Sequence, residues 1–360
     1  MARIVYIYQN LFSFVKDDLV LLKEHYKVRC FHFDSNRYDS KIGRLYGLLF
    51  FAGKQLFWLP RELLRARVVY GWFADYHMVL PILMARLFRK PVVVALGGFD
   101  CILMPHLNYG VFYSWWRRFL ARFVLRHAAL LLPVTSTLMR TEAHAALWPE
   151  AHPNGAEVNV PGLKTRYEVV LWGYDPDEWP MGPAERPAVV CTVALLDSER
   201  TFQRKGIDLL IEASRRLPDV SFTIVGVASA LRSIIEEHYQ PPSNVFLMPP
   251  KPRTALPAIY AGASVYVQLS RAEGLPNVLC EAMLCGCVPI GSAVFGIPEA
   301  IGDAGFILER PDPDEIAETI RRALQLGPEA RKRARERICE RFTREGRRQK
   351  LLTAFDVHWD

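Results

Sequence analysis

The sequence has no apolar run long enough to cross a membrane as a helix. Such a helix requires about 20 consecutive apolar residues, and the nearest candidate, 45–59, is interrupted by Lys54 and Gln55. A signal peptide has no room either, because Met1 to Arg3 lead directly into the strand-like residues 4–8. These absences predict a cytoplasmic protein.

The cysteines lack the spacing that would bind a metal ion or indicate a set of disulfides. The seven cysteines are scattered through apolar segments, and this odd number fits reduced thiols better than a disulfide framework. Cys280, Cys285 and Cys287 are close in sequence, but they provide neither a C-x-x-C pair nor a fourth ligand. A structural zinc is therefore not predicted.

Negative charge is in the minority, since Lys and Arg outnumber Asp and Glu by 45 to 38, a net charge of +7. Residues 331–350 interleave glutamates with basic residues, which is typical of a solvated helix face and argues against nucleic acid. Two other segments, 41–67 and 113–126, mix arginines with aromatic residues. These segments either contact an anionic membrane at its inner face or pack on a sheet with their charged ends in water.

The length and the order of the elements indicate two domains. A chain of 360 residues is longer than the chains that usually fold around one hydrophobic core. Strands are predicted at 3–8, 28–33, 68–71, 91–96 and 129–134, and again at 188–196, 221–225, 245–248, 264–269, 288–290 and 306–308. The helices between them include 17–25, 76–88, 115–127, 136–146, 207–217, 231–239, 254–262 and 313–324. This alternation predicts an α/β fold of two doubly wound parallel sheets, with ligands beyond the carboxyl ends of the strands.

A change of composition marks the crossing between the predicted domains. Residues 160–187 are rich in proline, glycine and charge, with Gly173 and Asp175 at a turn. We therefore divide the chain into an N-terminal domain, a linker, a C-terminal domain and a terminal segment, at 1–170, 171–187, 188–343 and 344–360.

The most informative stretch is 270–299. Glu273 lies in a Gly/Pro loop, and Glu281 lies in the helix that this loop opens, with Pro276 suited to the first helical position. A helix N-terminus after a glycine-containing loop favours a phosphate, and an ionised carboxylate can accept two hydrogen bonds from a vicinal diol such as a ribose. The two glutamates therefore predict a binding site for a nucleotide sugar. The alternative is that both acids only complement the helix dipole.

A second candidate site is the predicted loop 197–206. Arg200, Arg204 and Lys205 precede Gly206 between a strand end and a helix. Such a group of cations is suited to a diphosphate. The alternative is a surface loop with solvated charges.

The string Glu-Gly-Leu-Pro-Asn-Val-Leu-x-Glu-Ala-Met-x-Cys-Gly-x-Val-Pro-Ile, at 273–290, resembles the E-x7-E signature of the retaining glycosyltransferases of family four, which have the GT-B fold. The resemblance implies two Rossmann-like domains facing a cleft, the first for the acceptor and the second for a nucleotide sugar. It also implies that the last helix, roughly 344–358, crosses back onto the first domain.

The implied activity is transfer of a hexose from a nucleotide diphosphate sugar, with retained configuration. The acceptor would be a glycan, a lipid-linked molecule or a small molecule, in polysaccharide or glycolipid synthesis at the cell surface. The family generally needs no metal, so no cofactor is expected. Two other classes remain open: a nucleotide-sugar epimerase of GT-B fold and a non-catalytic, transferase-like binding subunit.

The resemblance also assigns residues. Lys205 and Arg200 would hold the donor phosphates, and Glu273 would lie near the transferred sugar; these three are the predicted catalytic residues. The predicted donor-binding residues are Glu281, Gly274, Leu275 and Asn277.

Two segments depart from the family pattern. Gly97 stands where a histidine is frequent, whereas Gly98 and Asp100 preserve the shape of that loop. Gly98, Asp100 and His106 are candidates for the acceptor side, against the alternative of turn capping or packing. In 169–175, Leu171 and Trp172 stand where proline and asparagine are usual.

Overall fold

The computed structural model describes residues 1–34, 40–142, 152–310 and 312–356. The chain divides into two compact units, each with its own sheet. Unit 1 comprises Met1–Arg140, Asn154–Leu171 and Glu345–Asp360, and unit 2 comprises Thr141–Pro153 and Trp172–Arg344.

The described part of unit 1 is built on a five-stranded parallel sheet in the order β2-β1-β3-β4-β5. The strands are β1 (Arg3–Tyr8), β2 (Lys27–His32), β3 (Ala66–Trp72), β4 (Val92–Leu96) and β5 (Leu130–Pro133). All residues of β4 and β5 are buried, as expected for strands covered on both faces. The helices are α1 (Ser13–His25), α2 (Lys41–Leu63), α3 (Val79–Leu87), α4 (Trp115–His127) and α5 (Ala156–Asn159).

The helix predicted at 136–146 is wrong in its described part. A single 3-10 turn forms at Ser136–Leu138, where the Thr135 side chain accepts a hydrogen bond from the Thr137 amide. The Met139 carbonyl then accepts from the amide of Glu157, a residue of α5, at 2.9 Å instead of continuing a helix. Residues 143–146 of this prediction lie outside the described residues.

The described part of unit 2 is built on a six-stranded parallel sheet in the order β11-β10-β9-β6-β7-β8. The strands are β6 (Val189–Leu196), β7 (Ser221–Val227), β8 (Val245–Met248), β9 (Val265–Gln268), β10 (Val288–Ser292) and β11 (Phe306–Leu308). The order reverses between β6 and β9, and ligands of doubly wound sheets bind at this switch point, outside the carboxyl ends of the strands.

Eight of the described α-helices lie entirely in unit 2. They are α6 (Glu199–Arg204), α7 (Ile207–Ser214), α8 (Ser229–Ile234), α9 (Leu256–Ala261), α10 (Asn277–Leu284), α11 (Ile297–Ile301), α12 (Pro313–Leu324) and α13 (Pro328–Arg341). Two corrections concern the site. The predicted loop 197–206 contains α6, because the Ser198 hydroxyl caps it by accepting from the Thr201 amide. Pro276 is the N-cap of α10, not its first helical residue.

The last described helix, α14 (Arg344–Asp356), belongs to unit 1 from residue 345 onward. The Arg347 guanidinium forms a buried ion pair with Asp18 of α1, with N–O distances of 2.7 and 2.9 Å. The Phe355 ring packs against those of Tyr26 and Tyr70, at 6.1 and 5.1 Å between centroids. Residues 357–360 lie outside the described residues, so the predicted helix end at 358 has no counterpart.

Candidate active site

The carboxyl ends of the neighbouring strands β6 and β9 carry the two sequence motifs. After β6 the chain forms α6 and reaches Lys205, and after β9 it forms the loop that carries Glu273 and opens α10. Parallel strands end at the same edge of a sheet. The two motifs, 68 residues apart, therefore meet at the switch point of unit 2.

Lys205 and Glu273 form a direct ion pair between Nζ and Oε1. The same oxygen accepts hydrogen bonds from Ser270 Oγ at 2.8 Å and from Gln268 Nε2 at 3.3 Å. The two charged side chains are only 14% and 11% exposed. A nearly buried carboxylate with three donors is thus held in one position.

The environment of this pair shifts both pKa values. Burial alone raises the pKa of Glu273, but the charges of Lys205 and Arg204 and the hydrogen bonds outweigh it, so the pKa falls below its ordinary value. Glu273 is therefore an anion at neutral pH. Burial lowers the pKa of Lys205, an effect that Glu273 opposes and Arg204 reinforces.

Gly206 allows the close approach of the two loops. Its φ is +69°, and a Cβ at this position would lie 2.0 Å from the carbonyl oxygen of Leu269, so a larger residue would force the loops apart. Arg271 ties them further, because its amide donates to the Arg204 carbonyl at 2.8 Å and its guanidinium pairs with Asp208 at 2.7 Å. The position of Lys205 is fixed from both sides.

The structure brings Arg204, not Arg200, beside the ion pair. Arg204 is half-buried and its Nη1 donates to the Ala272 carbonyl at 3.2 Å, next to Glu273 in the chain. Arg200 is exposed in the first turn of α6. Arg204 is the last residue of α6 and directly precedes Lys205, whereas Arg200 lies one turn earlier in the helix. The role of Arg200 on the donor phosphates stays a prediction.

The N-terminus of α10 has no side-chain cap in the described part of the chain, and two aromatic residues hold the residues around it in place. Among the described residues no side chain caps it, so its first amides remain available to an anion. The Trp172 indole N–H donates to the Leu275 carbonyl at 2.6 Å, and the Tyr174 hydroxyl donates to Asn277 Oδ1 at 2.6 Å. Sequence reasoning missed both contacts, although Trp172 stands out in the sequence as a departure from the family pattern.

The remaining predicted residue of this loop, Gly274, is also held through its backbone. Its carbonyl accepts from the Gly296 amide at 2.9 Å, and a Cβ on Gly296 would lie 2.4 Å from that oxygen. Gly274 and Leu275 are thus held through their backbone carbonyls, and Asn277 is held through its side-chain oxygen. Their contacts with a donor stay predictions.

Glu281 lies one turn into α10 and is buried beside a cation. Its Oε1 is 3.5 Å from Arg253 Nε, and Arg253 also pairs with Glu178 at 3.3 Å. The guanidinium carbon of Arg253 lies 5.0 Å from the centroid of the Trp179 ring. Arg253 was not predicted as a site residue, because its proximity to the buried Glu281 carboxylate is visible only in the folded structure. The ribose contact of Glu281 stays a prediction.

In unit 1, Asp100 shapes the loop after β4. It is fully buried, and its carboxyl oxygens accept from the backbone amides of Gly97, Gly98 and Ala74 at 3.0 to 3.1 Å. Burial raises its pKa to about 6 despite these bonds. Gly98 has a φ of +130°, and His106 is exposed in the 3-10 turn Pro105–Leu107. Of the three acceptor-side candidates, Asp100 thus has its oxygens occupied by backbone, and the acceptor roles stay predictions.

Phe73 fills the place that a side chain on Gly97 would need. A Cβ on Gly97 would lie 2.6 Å from Cε1 of the Phe73 ring. Phe73 itself has a φ of +71°, which is rare for a bulky residue. The space beside Gly97 is therefore filled by the aromatic ring of the residue that follows β3.

Acidic clusters suited to metal are absent from the part of the chain that the structure describes. There, no group of three or more His, Cys, Asp or Glu residues is arranged to hold an ion. The two Asp-Pro-Asp triplets serve as caps instead: Asp175 accepts from the Asp177 amide, and Asp312 accepts from those of Asp314 and Glu315.

The fold is the two-domain α/β GT-B fold, as predicted. Sucrose-phosphate synthase from Thermosynechococcus elongatus superposes with a TM-score of 0.73 over 99% of this chain and 98% of that chain, at 15% identity. The protein Alr3699/HepE from Anabaena, in complex with UDP and glucose, gives a TM-score of 0.71 over 99% and 100% of the chains, at 16% identity. At such identities the likeness establishes the fold alone.

Within this fold, residues 189–341 match the family model of the glycosyl transferases group 1. This segment contains both Lys205 and Glu273. D-inositol 3-phosphate glycosyltransferase from Mycobacterium sp. (strain KMS) is 29% identical over 187 residues, which are 47% of this chain and 42% of that protein. Glycogen synthase from Thermus thermophilus is 28% identical over 150 residues, which are 40% of this chain and 33% of that protein. The chain thus spans less than half the length of these curated relatives.

Proposed function

We propose that the protein is a glycosyltransferase that moves a hexose from a nucleotide diphosphate sugar to an acceptor, with retention of the anomeric configuration. The observation that carries the proposal is the Lys205–Glu273 ion pair at the switch point of unit 2, beside the uncapped start of α10. It lies in the segment that matches the glycosyl transferases group 1. UDP and glucose in the related Anabaena fold support a UDP-sugar as the first donor to test.

In this proposal the donor diphosphate binds at the first amides of α10 and at Lys205. The phosphate competes with Glu273 for the lysine, and Arg204 and Arg200 add positive charge on the same side. The ribose hydroxyls donate to Glu281, whose charge Arg253 balances. The backbones of Gly274, Leu275 and Asn277 line the sugar and the phosphates.

The chemistry proposed is front-face displacement. The acceptor hydroxyl oxygen bonds to the anomeric carbon on the face from which the diphosphate leaves, and the bond from that carbon to the diphosphate oxygen breaks. The hydroxyl proton passes to the departing diphosphate oxygen. Lys205 and the helix amides stabilise the charge that grows on the diphosphate, and one such donor contributes about 3 to 4 kcal/mol to the transition state. No metal is required for these steps.

The acceptor is proposed to be a glycan, a lipid-linked molecule or a small molecule bound by unit 1, in polysaccharide or glycolipid synthesis. Peripheral contact with an anionic membrane belongs to the same proposal. Over the ranges described, no helix is both long and apolar enough to span a membrane.

A panel of nucleotide sugars in a thermal-shift assay tests donor binding, because a ligand that binds the native state raises the melting temperature by mass action. The donor that stabilises the protein is then followed by NMR, alone and with glycan and lipid-linked acceptors, with and without a chelator. We expect transfer with a retained anomeric signal in both conditions. A free epimerised donor, or a protein that neither binds nor hydrolyses any donor, would contradict the proposal.

A further inference from the structure

Three helices of unit 1 form one continuous outer surface. Helix α2 connects β2 to β3, α3 connects β3 to β4, and α4 connects β4 to β5, so all three connections run in the same direction along the strand order β2-β1-β3-β4-β5. Because such crossovers are right-handed, the three helices lie on the same face of the sheet. Accordingly α2 contacts α3, and α3 contacts α4. The connection through α1 runs the other way, and α1 packs with α14 on the opposite face. We call the outer side of α2, α3 and α4 the three-helix face.

The three-helix face exposes large apolar side chains. Those that are between 63 and 83% exposed include Ile42, Leu49, Phe57, Leu87, Trp115 and Phe119. The buried side of α2 carries polar as well as apolar residues, since Gln55, bonded to the His77 carbonyl at 3.1 Å, and Glu62 lie there together with Leu59 and Leu63. Leaving such a surface in water is costly, because apolar area is stabilised when it is removed from water.

The same face is cationic and almost free of acids. The sequence of the three helices contains a single acidic residue, Glu62. It is buried and pairs with Arg3 at 3.0 Å and Arg29 at 3.3 Å, from the β1 and β2 strands. It therefore does not neutralise the exposed cations of the face, such as Lys54 and Arg86.

The arginines of α4 are held by carbonyl oxygens as well as by a carboxylate. Arg117 pairs with buried Asp75, whereas Arg118 donates to the Phe112 carbonyl at 2.7 Å and Arg122 to the Asn159 carbonyl at 3.0 Å. A carbonyl orients a guanidinium but leaves its charge uncompensated. Burial and the charges of its neighbours Arg118 and Arg126 lower the pKa of Arg122. The cluster would be stabilised by an anionic partner.

We propose that the three-helix face rests on an anionic phospholipid bilayer, with its apolar side chains at the acyl boundary and its cations at the phosphate head groups. Amphipathic surfaces that combine aromatic, aliphatic and basic residues bind in this manner. A nucleic acid would match the cations but would leave Ile42, Leu49 and Leu87 in water. The inference deepens the membrane contact of the proposed function by naming its surface, and vesicle binding is measured without donor or acceptor.

Flotation with vesicles tests the proposal. The full chain is mixed with vesicles of phosphatidylcholine alone or of equal parts phosphatidylcholine and phosphatidylglycerol. We expect binding to the mixed vesicles and much weaker binding to phosphatidylcholine. Salt should weaken it, since the Debye length falls from about 10 Å at 0.1 M to about 3 Å at 1 M.

Matched double variants locate the surface. Lys54→Gln with Arg86→Gln removes two exposed cations of the face, each worth about fivefold in binding to an anionic leaflet, so partitioning should fall about 25-fold. The control is Lys16→Gln with Lys23→Gln, two exposed cations of α1 on the opposite face, which should bind like wild type.

A second pair tests the apolar contribution. Leu49→Ser with Phe57→Ser should reduce binding to the mixed vesicles even at high salt, because these contacts do not depend on charge. Leu195→Ser with Phe246→Ser alters two exposed apolar residues of unit 2 and should have no effect. All four variants should unfold at the wild-type temperature and keep any donor-induced thermal shift.

Three outcomes would overturn the proposal. In the first, the wild-type protein does not float with either vesicle type. In the second, it floats equally with both types and salt does not change its binding. In the third, the control pairs lose as much binding as the face pairs. Self-association that the face variants abolish, without vesicle binding, would instead assign this surface to a second copy of the chain. Loss of donor binding with intact flotation would count against the proposed function alone.

Discussion

Removal of Lys205 should have two separable effects, one on stability and one on catalysis. Lys205→Met leaves the Glu273 carboxylate, which is 11% exposed, without its cation. Breaking a buried ion pair costs about 3 to 5 kcal/mol, and we take about 3 kcal/mol because both side chains retain some contact with water. For a unit of this size the melting temperature should fall by roughly 6 to 12 °C.

The double variant Lys205→Met with Glu273→Gln separates the two effects. It removes both charges, so no buried carboxylate remains unpaired, and most of the lost stability should return. Transfer should stay at least about 100-fold slower than wild type, because the cation that stabilises the leaving diphosphate is still missing.

Calorimetry of wild type, both single variants and the double variant gives the coupling free energy, and a transfer assay on the same four proteins gives the rates. A coupling free energy near zero would show that the ion pair has no effect on stability. Wild-type transfer by Lys205→Met, or recovery of the rate in the double variant, would refute the catalytic assignment of Lys205.

Four other predictions concern the same site. Trp172→Phe leaves the Leu275 carbonyl without its donor and should weaken donor binding about fivefold, whereas an unchanged Kd by calorimetry would contradict the positioning role. Gly206→Ala should destabilise the fold by more than about 1 kcal/mol in urea unfolding, through φ strain and the clash with the strand end. Glu281→Ala should raise the donor Kd more than it lowers kcat; the reverse pattern would remove it from the ribose. The pKa of Glu273 is lower in the folded chain than in the unfolded chain, so between these two pKa values the unfolded chain binds more protons. The ionised Glu273 therefore stabilises the fold fully above about pH 4.3, and this stabilisation is lost as the pH falls through the folded pKa. Glu273→Gln should lack that part of the acid dependence in unfolding measured across this range.

Local pattern was sufficient wherever one element determines its own bounds. The strands at 3–8, 245–248 and 306–308 and the helices at 115–127 and 313–324 have the bounds predicted. Residues 4–8, 245–248 and 306–308 are continuous apolar runs, although the last two are edge strands that are only partly buried. The α12 helix carries its own start signal in Asp312 followed by Pro313. The doubly wound fold follows from their alternation.

Contacts between distant residues could not be predicted in this way. Trp172 donates to a carbonyl 103 residues further along the chain, and no local pattern encodes that partner. Arg200 was assigned to the donor phosphates by the family resemblance, whereas the contact that places Arg204 beside the ion pair, with the Ala272 carbonyl, joins residues 68 positions apart. For Asp100 the sequence left acceptor binding and turn capping open, and only the fold shows that backbone amides of Gly97, Gly98 and Ala74 donate to its buried carboxyl group.

The Phe73 ring also couples substitutions at position 73 to substitutions at position 97. A histidine at position 97 requires the Phe73 ring to shift, since Cε1 of that ring lies 2.6 Å from where the histidine Cβ would be. Replacement of Phe73 by a small residue, in turn, leaves a void beside Gly97 that costs stability. The two positions are thus epistatic, and the effect of either change depends on the residue present at the other. A histidine at position 97 should therefore be tolerated better together with a smaller residue at position 73 than alone.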